Sequence, residues 1–342
     1  MQRLTGRWLG LSVFALLLPI TPARADDKAQ DLPAAPKGFD VRRDDAKRGQ
    51  LETVEYDSKS VGGKRKMVIY TPPGYSKDNK YPVLYLLHGA GDDETGWQKK
   101  GSADVILDNL YADKKLVPMI VVMPNGTVRG PGGGGAAPAL AAAIMKRADA
   151  DKDGKVSLEE FLAAAEAVFK EIDKDKKGKV DEKQLADAIA QLLPRGPGPG
   201  TGFISGFEDD LLKDIIPYVD AHFPVKPGSE NRAVAGLSMG GGQALGIGLK
   251  HLDTFAWVGG FSSAIFGQPG GMTPDAGSAR KLRLLWLSCG DRDRLMDASK
   301  SFHTALEDKK VPHVWHVDAG AHEWPVWKND LYLLSQMQFR EK

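Results

Sequence analysis

The chain has 342 residues, of which 42% are hydrophobic, enough for one large core and a small extra module. Its 46 Lys and Arg residues nearly balance 45 Asp and Glu residues, giving a formal net charge of +1. This balance gives no indication that nucleic acid or a charged membrane is a partner. Cys289 is the only cysteine, which excludes an intramolecular disulfide.

A secretory signal peptide is predicted for residues 1–25. Arg3 and Arg7 precede a largely apolar run over residues 8–18, and Ala-Arg-Ala at 23–25 matches a small-x-small cleavage site. A retained membrane anchor is the alternative, although the apolar run is short for a transmembrane span. We expect a secreted or periplasmic protein that has no membrane contact once the signal is removed.

The next predicted elements are an irregular segment, a hairpin and a buried strand. Residues 26–48 are charged and contain prolines but few large apolar residues, which predicts a flexible lead-in. Residues 49–58 and 64–71 alternate in polarity and are joined around two glycines, a pattern typical of an antiparallel hairpin. Residues 81–87 form a hydrophobic run that ends in a glycine loop, as expected of a central strand covered on both faces.

A small module is predicted between residues 130 and 202, because glycine- and proline-rich stretches at its two ends are typical of linkers. Within it, residues 149–160 match the EF-hand calcium loop at every key position, including the glycine at the sharp turn. A metal-free loop is the alternative. The predicted calcium ligands are Asp149, Asp151, Asp153, the backbone carbonyl of Lys155, Ser157 and Glu160.

A second EF-hand-like loop begins at Asp173. Lys177 replaces a ligand and Gln184 cannot supply the bidentate carboxylate, so calcium binding there is expected to be weak or absent. The candidate ligands of this loop are Asp173, Asp175 and Asp181. The helix between the two loops carries an apolar stripe, which we interpret as the core of the module. The stripe consists of Phe161, Leu162, Ala165, Val168, Phe169 and Ile172.

The sequence Gly236-Leu-Ser238-Met-Gly240 is a Gly-x-Ser-x-Gly motif between a β-like run and a glycine-rich helix start. In this context the motif forms a nucleophile elbow, where a sharp and strained turn exposes the serine hydroxyl. Small flanking residues let the chain turn without Cβ clashes. Ser238 is therefore the predicted nucleophile, and a structural turn is the alternative.

A serine nucleophile needs a base and an orienting acid, and candidates for both lie later in the chain. His322 lies in a glycine-bearing loop after a strand-like run and is the predicted base. Asp291 and Asp293 follow a buried-type strand that ends at Gly290. Either carboxylate can hydrogen-bond the imidazole, and we favour Asp293. The order Ser238, Asp293, His322 is that of the α/β-hydrolases.

Two backbone amides are predicted to form an oxyanion hole. The glycine loop that follows residue 87 can aim amides at a developing oxyanion, and we assign Ala90 as the first donor. Met239, directly after the nucleophile, is the second. An ordinary strand-to-helix turn is the alternative for the first loop. Trp97, a few residues further on, either lines the pocket or lies in the core.

Strands and helices alternate along the rest of the chain. Strands are predicted over residues 117–123, 255–261, 282–288 and 311–317, and helices over 102–114, 207–219, 296–309 and a closing segment from 326. This alternation implies an α/β fold with a mostly parallel sheet and helices on both faces. The predicted catalytic domain covers residues 49–129 and 203–342, and the EF-hand module is its small α-helical insertion.

Four motifs together resemble the esterase D-like branch of the α/β-hydrolases. They are the elbow Gly-Leu-Ser238-Met-Gly-Gly, the Leu-Leu-His88-Gly loop, the Cys289-Gly-Asp-Arg-Asp293 turn and the Gly-Ala-His322-Glu-Trp loop. Within that branch the chain is similar to the feruloyl and acetylxylan esterases of carbohydrate esterase family 1 and their enterochelin-esterase relatives, over residues 49–127 and 203–340. The resemblance supports Asp293, which matches the usual Cys/Gly-x-x-Asp pattern of the acid. The EF-hand insertion departs from the family, where a short loop is usual.

These features predict a secreted serine esterase that forms an acyl-enzyme, and the resemblance implies a carbohydrate-linked feruloyl or acetyl ester as substrate. No cofactor is needed for the chemistry, and calcium is expected to be structural. The insertion follows the carboxyl end of a strand, so we hypothesise that it borders the substrate cleft. One alternative is a different substrate, such as a siderophore, thioester or lipid ester. Others are a different reaction, either acyl transfer to an alcohol or peptide hydrolysis, and a non-catalytic calcium-dependent binding module.

Overall fold

The computed structural model describes residues 29–30, 32–128, 144–173, 177–181, 184, 201–265 and 269–340. The predicted signal peptide, both predicted linkers and Asp175 lie outside these residues. Among the helices of the described part of the chain, none has the length and apolar character needed to cross a membrane.

One sheet of eight strands forms the centre of the fold, in the order β1-β2-β4-β3-β5-β6-β7-β8. The strands are β1 Gln50–Ser58, β2 Gly63–Thr71, β3 Val83–Leu87, β4 Ile120–Pro124, β5 Arg232–Leu237, β6 Trp257–Phe261, β7 Leu284–Gly290 and β8 Val314–Asp318. The first two strands form the predicted antiparallel hairpin, and β2 pairs antiparallel with β4. All other neighbours are parallel, which confirms the predicted mostly parallel sheet.

Helices connect the strands and end the chain. They are α1 Gly96–Lys99, α2 Ala103–Ala112, α3 Leu158–Ile172, α4 Thr201–Asp210, α5 Ile216–His222, α6 Ser238–Lys250, α7 Pro269–Met272, α8 Met296–Asp308 and α9 Trp324–Met337. A π-helical turn, Leu211–Ile215, joins α4 to α5, and 3₁₀ turns cover Ser229–Asn231 and Ser278–Lys281.

The sheet has a separate apolar core on each face. Alternate residues of β3 point to opposite cores, with Tyr85 and Leu87 in one and Leu84 and Leu86 in the other. Helices α4, α5, α6 and α8 pack on the first face, and α2 and α9 pack on the second. Because β3 is buried on both sides, its sequence is an unbroken apolar run, as predicted. The parallel strands end at the same edge of the sheet, so the loops that follow them meet there.

Described residues of the segment 26–48, predicted to be a flexible lead-in, make contacts with the α/β domain. The side-chain amide of Asn109 on α2 donates to the carbonyl oxygens of Phe39 and Val41, both at 2.9 Å. The Phe39 ring lies edge-on to Tyr332 on α9, with ring centroids 5.2 Å apart. Isolated anchors of this kind leave no periodic pattern in a sequence. Composition therefore does not predict that this segment packs on the α/β domain.

Val128 and Gly206, which flank the predicted insertion in the sequence, lie next to each other. A Cβ added to Gly206 would be 2.8 Å from Cγ1 of Val128. Helix α3 lies between the two EF-hand-like loops, but its apolar stripe is not enclosed as predicted. Leu162 and Phe161 are 58% and 46% exposed. None of the residues of α3 is buried.

Candidate functional site

The turn from β5 into α6 places Ser238 at the carboxyl edge of the sheet. Ser238 has a left-handed backbone conformation, with φ of 53°. This conformation is strained for any residue other than glycine. The flanking glycines are required by close packing. A Cβ on Gly240 would lie 2.4 Å from the carbonyl oxygen of His88, and one on Gly236 would lie 2.6 Å from the backbone of Gly240. The predicted elbow therefore depends on backbone contact between β3 and the start of α6.

Ser238, His322 and Asp293 form a continuous chain of hydrogen bonds. The Nε2 atom of His322 lies 2.9 Å from Oγ of Ser238. Its Nδ1 atom lies 3.0 and 2.8 Å from the two carboxylate oxygens of Asp293. A carboxylate only accepts, so Nδ1 carries the proton and Nε2 is left to accept from the serine hydroxyl. This is the geometry that general-base activation of a serine requires.

The surroundings of Asp293 and His322 suit an acid that orients a base. The Asp293 side chain is fully buried, whereas that of His322 is 18% exposed and reachable by substrate. The backbone amide of Leu295 donates to Asp293 Oδ1 at 2.8 Å and fixes the carboxylate. The edge of the Trp327 ring packs against the imidazole, with centroids 4.9 Å apart. The nearby Cys289 is buried, and burial raises the pKa of its thiol to about 11, so it is not a competing nucleophile.

Asp291, the alternative acid, contacts the backbone of the histidine loop instead. Its Oδ1 atom accepts a hydrogen bond from the amide of Gly320 at 2.7 Å, and its own amide donates to the carbonyl of Asp318 at 2.8 Å. Its carboxylate is about half exposed. Asp291 therefore holds the loop that carries His322, while Asp293 contacts the imidazole itself.

The two predicted oxyanion donors lie in the loop after β3 and in the elbow itself. Gly89 packs against the nucleophile turn, because a Cβ on this glycine would lie 2.6 Å from Cδ1 of Leu237 and 3.5 Å from Cβ of Ser238. Ala90 follows it and is exposed at the start of the loop. Met239 lies in the first turn of α6, where backbone amides have no acceptor within the helix. Both amides are thus on segments that adjoin Ser238.

A buried polar network behind the loop after β3 was not predicted from the sequence. The Nδ1 atom of His88 lies 2.8 Å from the carbonyl oxygen of Gly89, and its Nε2 atom accepts from the amide of Gly126 at 2.9 Å. The side-chain amide of Gln243 donates to the carbonyl of Gly126, also at 2.9 Å. These bonds join the loops after β3 and β4 to α6. A polar Gln243 on an otherwise small and apolar helix is the one sequence signal that points to the network.

The sequence leaves two alternatives for Trp97, the pocket wall and the core. Trp97 lies in the core, because it is 1% exposed and its indole N–H donates to the carbonyl of Leu87 at 2.9 Å. The loop after β6 begins at the elbow, where the amide of Ala264 donates to the carbonyl of Ser238 at 2.8 Å. The described start of this loop therefore adjoins the nucleophile, whereas Trp97 does not line the pocket.

The first calcium loop gathers its three aspartates in the described structure. Oxygen atoms of Asp149, Asp151 and Asp153 lie within 4.8 Å of one another. Backbone amides of Asp153 and Gly154 donate to Asp149, both at 3.1 Å, and Gly154 has the φ of 82° that the sharp turn needs. An all-oxygen set of this kind suits Ca²⁺.

Glu160, the last predicted ligand of that loop, is exposed and caps α3 by its hydrogen bonds with Ser157. The bond from the backbone amide of Ser157 is the largest cause that lowers the pKa of Glu160 to about 2. In the second loop Gln184 takes the corresponding place, and it exchanges hydrogen bonds with Asp181 at 2.9 and 2.7 Å. The described residues of the second loop thus repeat bonds of the first, but an amide stands where the first loop has its last carboxylate.

Two family models match the chain. A model described as "Putative esterase" matches residues 58–163 and 196–335, and an EF-hand model matches residues 165–183. The first model is interrupted inside the predicted insertion, and the second covers the end of α3 and most of the second loop.

The chain is similar in sequence to an endo-1,4-beta-xylanase/feruloyl esterase of Xylanibacter ruminicola, with 28% identity over 316 residues. The alignment covers 91% of this chain and 34% of that protein, so the chain spans about a third of the length of this curated relative.

Solved structures show the same fold. A CE1 ferulic acid esterase from Anaeromyces mucronatus superposes with a TM-score of 0.67 at 22% identity, over 91% of this chain and 98% of that chain. The feruloyl esterase module from Clostridium thermocellum, solved in complex with sinapinate, has a TM-score of 0.62 at 16% identity, over 93% and 97% of the two chains. These similarities confirm the predicted α/β-hydrolase fold.

Proposed function

The chain belongs to the esterase family whose model it matches, a family of carboxylic-ester hydrolases, and we propose that it is a secreted serine esterase acting on acyl groups attached to carbohydrate. The observation that carries this proposal is the unbroken hydrogen-bond chain from Ser238 through His322 to Asp293. A binding protein that had lost catalysis would have no need to keep this chain. The proposal therefore assigns these three residues as a catalytic triad.

In the first half of the reaction, Oγ of Ser238 attacks the ester carbonyl carbon while Nε2 of His322 takes the hydroxyl proton. The carboxylate of Asp293 stabilises the imidazolium that forms and keeps its Nδ1 proton in place. As the tetrahedral intermediate collapses, the bond to the alkoxy oxygen breaks, and His322 gives its proton to that oxygen. The products of this half are the free sugar hydroxyl and an acyl group on Ser238.

In the second half, water takes the place of the alcohol. His322 removes a proton from the water as its oxygen attacks the acyl carbon, and it returns that proton to Oγ of Ser238 when the acid leaves. The oxyanion formed in each half is assigned to the amides of Ala90 and Met239. Donors fixed in advance by the fold are worth more than mobile ones because they need not reorganise as charge develops.

A feruloyl or acetyl ester on a plant-type polysaccharide is the proposed substrate. It is supported by the feruloyl esterase activity in the name of the Xylanibacter ruminicola relative and by the sinapinate bound in the Clostridium thermocellum module. Secretion, proposed from the pattern of residues 1–25, suits an enzyme whose substrate is an extracellular polymer.

Calcium is proposed to have a structural role in the insertion. The carboxylates of Asp149, Asp151, Asp153 and Glu160 would hold it, and the ion would offset their mutual repulsion. The chemistry at Ser238 needs no metal, so no step of the reaction is assigned to the ion.

Hydrolysis of methyl ferulate and p-nitrophenyl acetate by the wild type and by Ser238→Ala tests the proposal. We expect the wild type to turn over at least one ester and kcat/KM to fall by about 10⁴-fold or more in the variant. Ser301→Ala is the matched control, because Ser301 is an exposed serine on α8 and its loss should leave activity intact. An active Ser238→Ala protein, or a wild type inactive on both esters, would contradict the proposal.

The substrate class needs a separate experiment. Release of ferulate and acetate from feruloylated and acetylated arabinoxylan is compared with hydrolysis of a siderophore ester, a thioester and a lipid ester. We expect the highest kcat/KM on the carbohydrate esters. A higher value on another ester, or transfer of the acyl group to an added alcohol in preference to water, would replace the proposed substrate while leaving the triad in place.

A further inference from the structure

A second cluster of ionisable side chains lies between the last strand and the last helix. His316 and Asp318 are two residues apart on β8 and therefore point to the same face of the sheet. Asp330 projects onto that face from α9. One potential ligand atom from each of the three lies within 4.8 Å of the others, and Nε2 of His316 is 3.1 Å from Oδ1 of Asp318. None of the three takes part in the proposed reaction.

Asp330 is an unusual member of this cluster because it is completely buried and neither of its carboxylate oxygens is hydrogen-bonded. Ser288 and Trp286 are polar neighbours of Asp330; the indole N–H of Trp286 donates to Oγ of Ser288 at 3.0 Å, so the Ser288 hydroxyl is the donor left to face the carboxylate. Oδ2 of Asp318 is also buried without a partner. An ionised carboxylate in such a place is strongly unfavourable unless a cation compensates it.

The surroundings orient His316 and Asp318 towards the same point. The Nε2–H group of His316 donates to Oδ1 of Asp318 at 3.1 Å, and a bound metal ion would replace that proton. Nδ1 faces the carbonyl oxygen of Gln30 at 3.5 Å and would then carry the remaining proton of the imidazole. The side-chain amide of Asn329 donates to Oδ1 of Asp318 at 2.7 Å, and the amide of Ala35 in turn donates to Asn329 at 3.0 Å. Outer hydrogen bonds of this kind are typical of the ligands of a metal ion.

We propose that His316, Asp318 and Asp330 bind a divalent transition metal ion, with zinc as the best match. An imidazole nitrogen with two carboxylates suits zinc, whereas calcium takes oxygen ligands only. Two ligand atoms each about 2.1 Å from a tetrahedral zinc ion are about 3.4 Å apart, so the 3.1 Å between Nε2 of His316 and Oδ1 of Asp318 would widen slightly when an ion enters. A positive ion between these atoms would compensate the buried charge of Asp330.

The role assigned to this site is structural. It joins β8 to α9 and, through Gln30 and Ala35, to the segment that precedes β1. The loop that carries His322 leaves β8 directly after Asp318, so an ion at this site would hold the base of that loop. The calcium loops of the insertion are separate sites on a different part of the chain.

Thermal unfolding with added zinc tests the proposal on the full-length protein. The wild type and Asp330→Asn are stripped with chelator and returned to buffer with excess calcium, which keeps the EF-hand loops occupied. Asn has the size of Asp but lacks its charge, so the variant should fold. We expect the melting temperature of the wild type to rise by about 5 °C at a zinc concentration near 100 times Kd. The variant should show no rise, and metal analysis should find one zinc in the wild type only.

Two further variants distinguish zinc at this cluster from zinc bound in the calcium loops. Asp149→Asn removes a ligand of the first calcium loop and should retain the zinc response. His316→Gln removes the only nitrogen ligand and should abolish the visible absorption of bound Co²⁺ that the wild type shows. A zinc response lost in Asp149→Asn but kept in Asp330→Asn would overturn the proposal. A wild type that binds no zinc would also overturn it, and Asp330 would then be held in its protonated form, since burial raises its pKa well above the ordinary value.

Discussion

The nucleophile turn and the first calcium loop are both sharp turns that lead into a helix, but they are held in different ways. Ser238 and Gly154 both have positive φ, of 53° and 82°. Helix α6, after the first turn, has no side-chain cap, and nearly all of it is buried. Helix α3, after the second, begins with a capping box of Ser157 and Glu160, and none of its residues is buried.

This difference shows where the conformation of each turn originates. The turn at Ser238 is imposed by tertiary packing, since Gly240 lies against the backbone of His88, directly after β3. The calcium loop is held by bonds within a dozen residues, such as those from Asp153 and Gly154 to Asp149. The first turn is therefore organised by the packing of the α/β domain, and the second by bonds within its own loop. Substitutions at the nucleophile turn should therefore lower the stability and activity of the α/β domain, and substitutions in the calcium loop should lower calcium affinity.

The largest effect on activity, apart from loss of the nucleophile, is expected from Asp293→Asn. Asparagine can present its NH₂ group to Nδ1 of His322, which would move the imidazole proton to Nε2 and leave no base for Ser238. We expect kcat to fall by about 10⁴-fold, with little change in the melting temperature. Steady-state kinetics on methyl ferulate measure the effect.

Asp291→Asn is the matched control for this prediction. Its Oδ1 atom accepts from Gly320, and the carbonyl oxygen of asparagine can accept the same bond. We therefore expect less than a tenfold loss of activity. Equal losses in the two variants, or a greater loss in Asp291→Asn, would show that Asp293 is not the acid of the triad.

The next largest effect should come from Gly240→Ala. The added methyl group would meet the carbonyl oxygens of His88 and Leu87 at 2.4 and 2.7 Å, and backbone atoms cannot move aside cheaply. We expect a loss of about 3 kcal/mol in the free energy of unfolding together with loss of activity. Urea denaturation followed by tryptophan fluorescence measures the first, because the insertion contains no tryptophan and the signal reports the α/β domain alone.

Gly154→Ala is the corresponding change in the calcium loop. A Cβ at this position meets no atom within 4 Å, so only the positive φ makes alanine unfavourable, at a cost of about 1 kcal/mol. We expect weaker calcium binding by calorimetry and an unchanged fluorescence transition. If Gly154→Ala lowered the stability of the α/β domain as much as Gly240→Ala, the contrast between the two turns would be wrong.

A smaller effect is expected from His88→Ala. His88 touches no reacting atom in the proposed mechanism, but it joins Gly89 of the oxyanion loop to Gly126 of the loop after β4. Its loss should let the Ala90 amide move, lowering kcat by about 10²-fold with KM nearly unchanged. Gln243→Ala, which removes the outer bond to Gly126, should cost about tenfold. A rise in KM at constant kcat would assign His88 to substrate binding instead.

The features that the sequence predicts well are those carried by contiguous residues. The hairpin, the buried strand before His88, the elbow and the EF-hand loop each have a short-range pattern with a physical cause. The sequence does not predict the hydrogen bonds and contacts between segments that lie far apart in the chain. Asn109 holds the lead-in, Gln243 reaches Gly126, which lies 117 residues away, and Asp330 meets β8 from the next helix. No local pattern records such partners, because they depend on how the elements pack.

Calcium removal is expected to have the smallest effect on ester hydrolysis. Described residues 144–173 make their hydrogen bonds and ion pairs with one another or with the second loop. The triad residues instead follow the ends of β5, β7 and β8. We expect kcat/KM to change by less than about twofold in chelator, because sites without shared contacts act independently. Calcium affinity should fall at least about tenfold in Glu160→Gln and stay unchanged in Glu159→Gln. A tenfold loss of activity in chelator, restored by calcium, would support the hypothesis that the insertion borders the cleft.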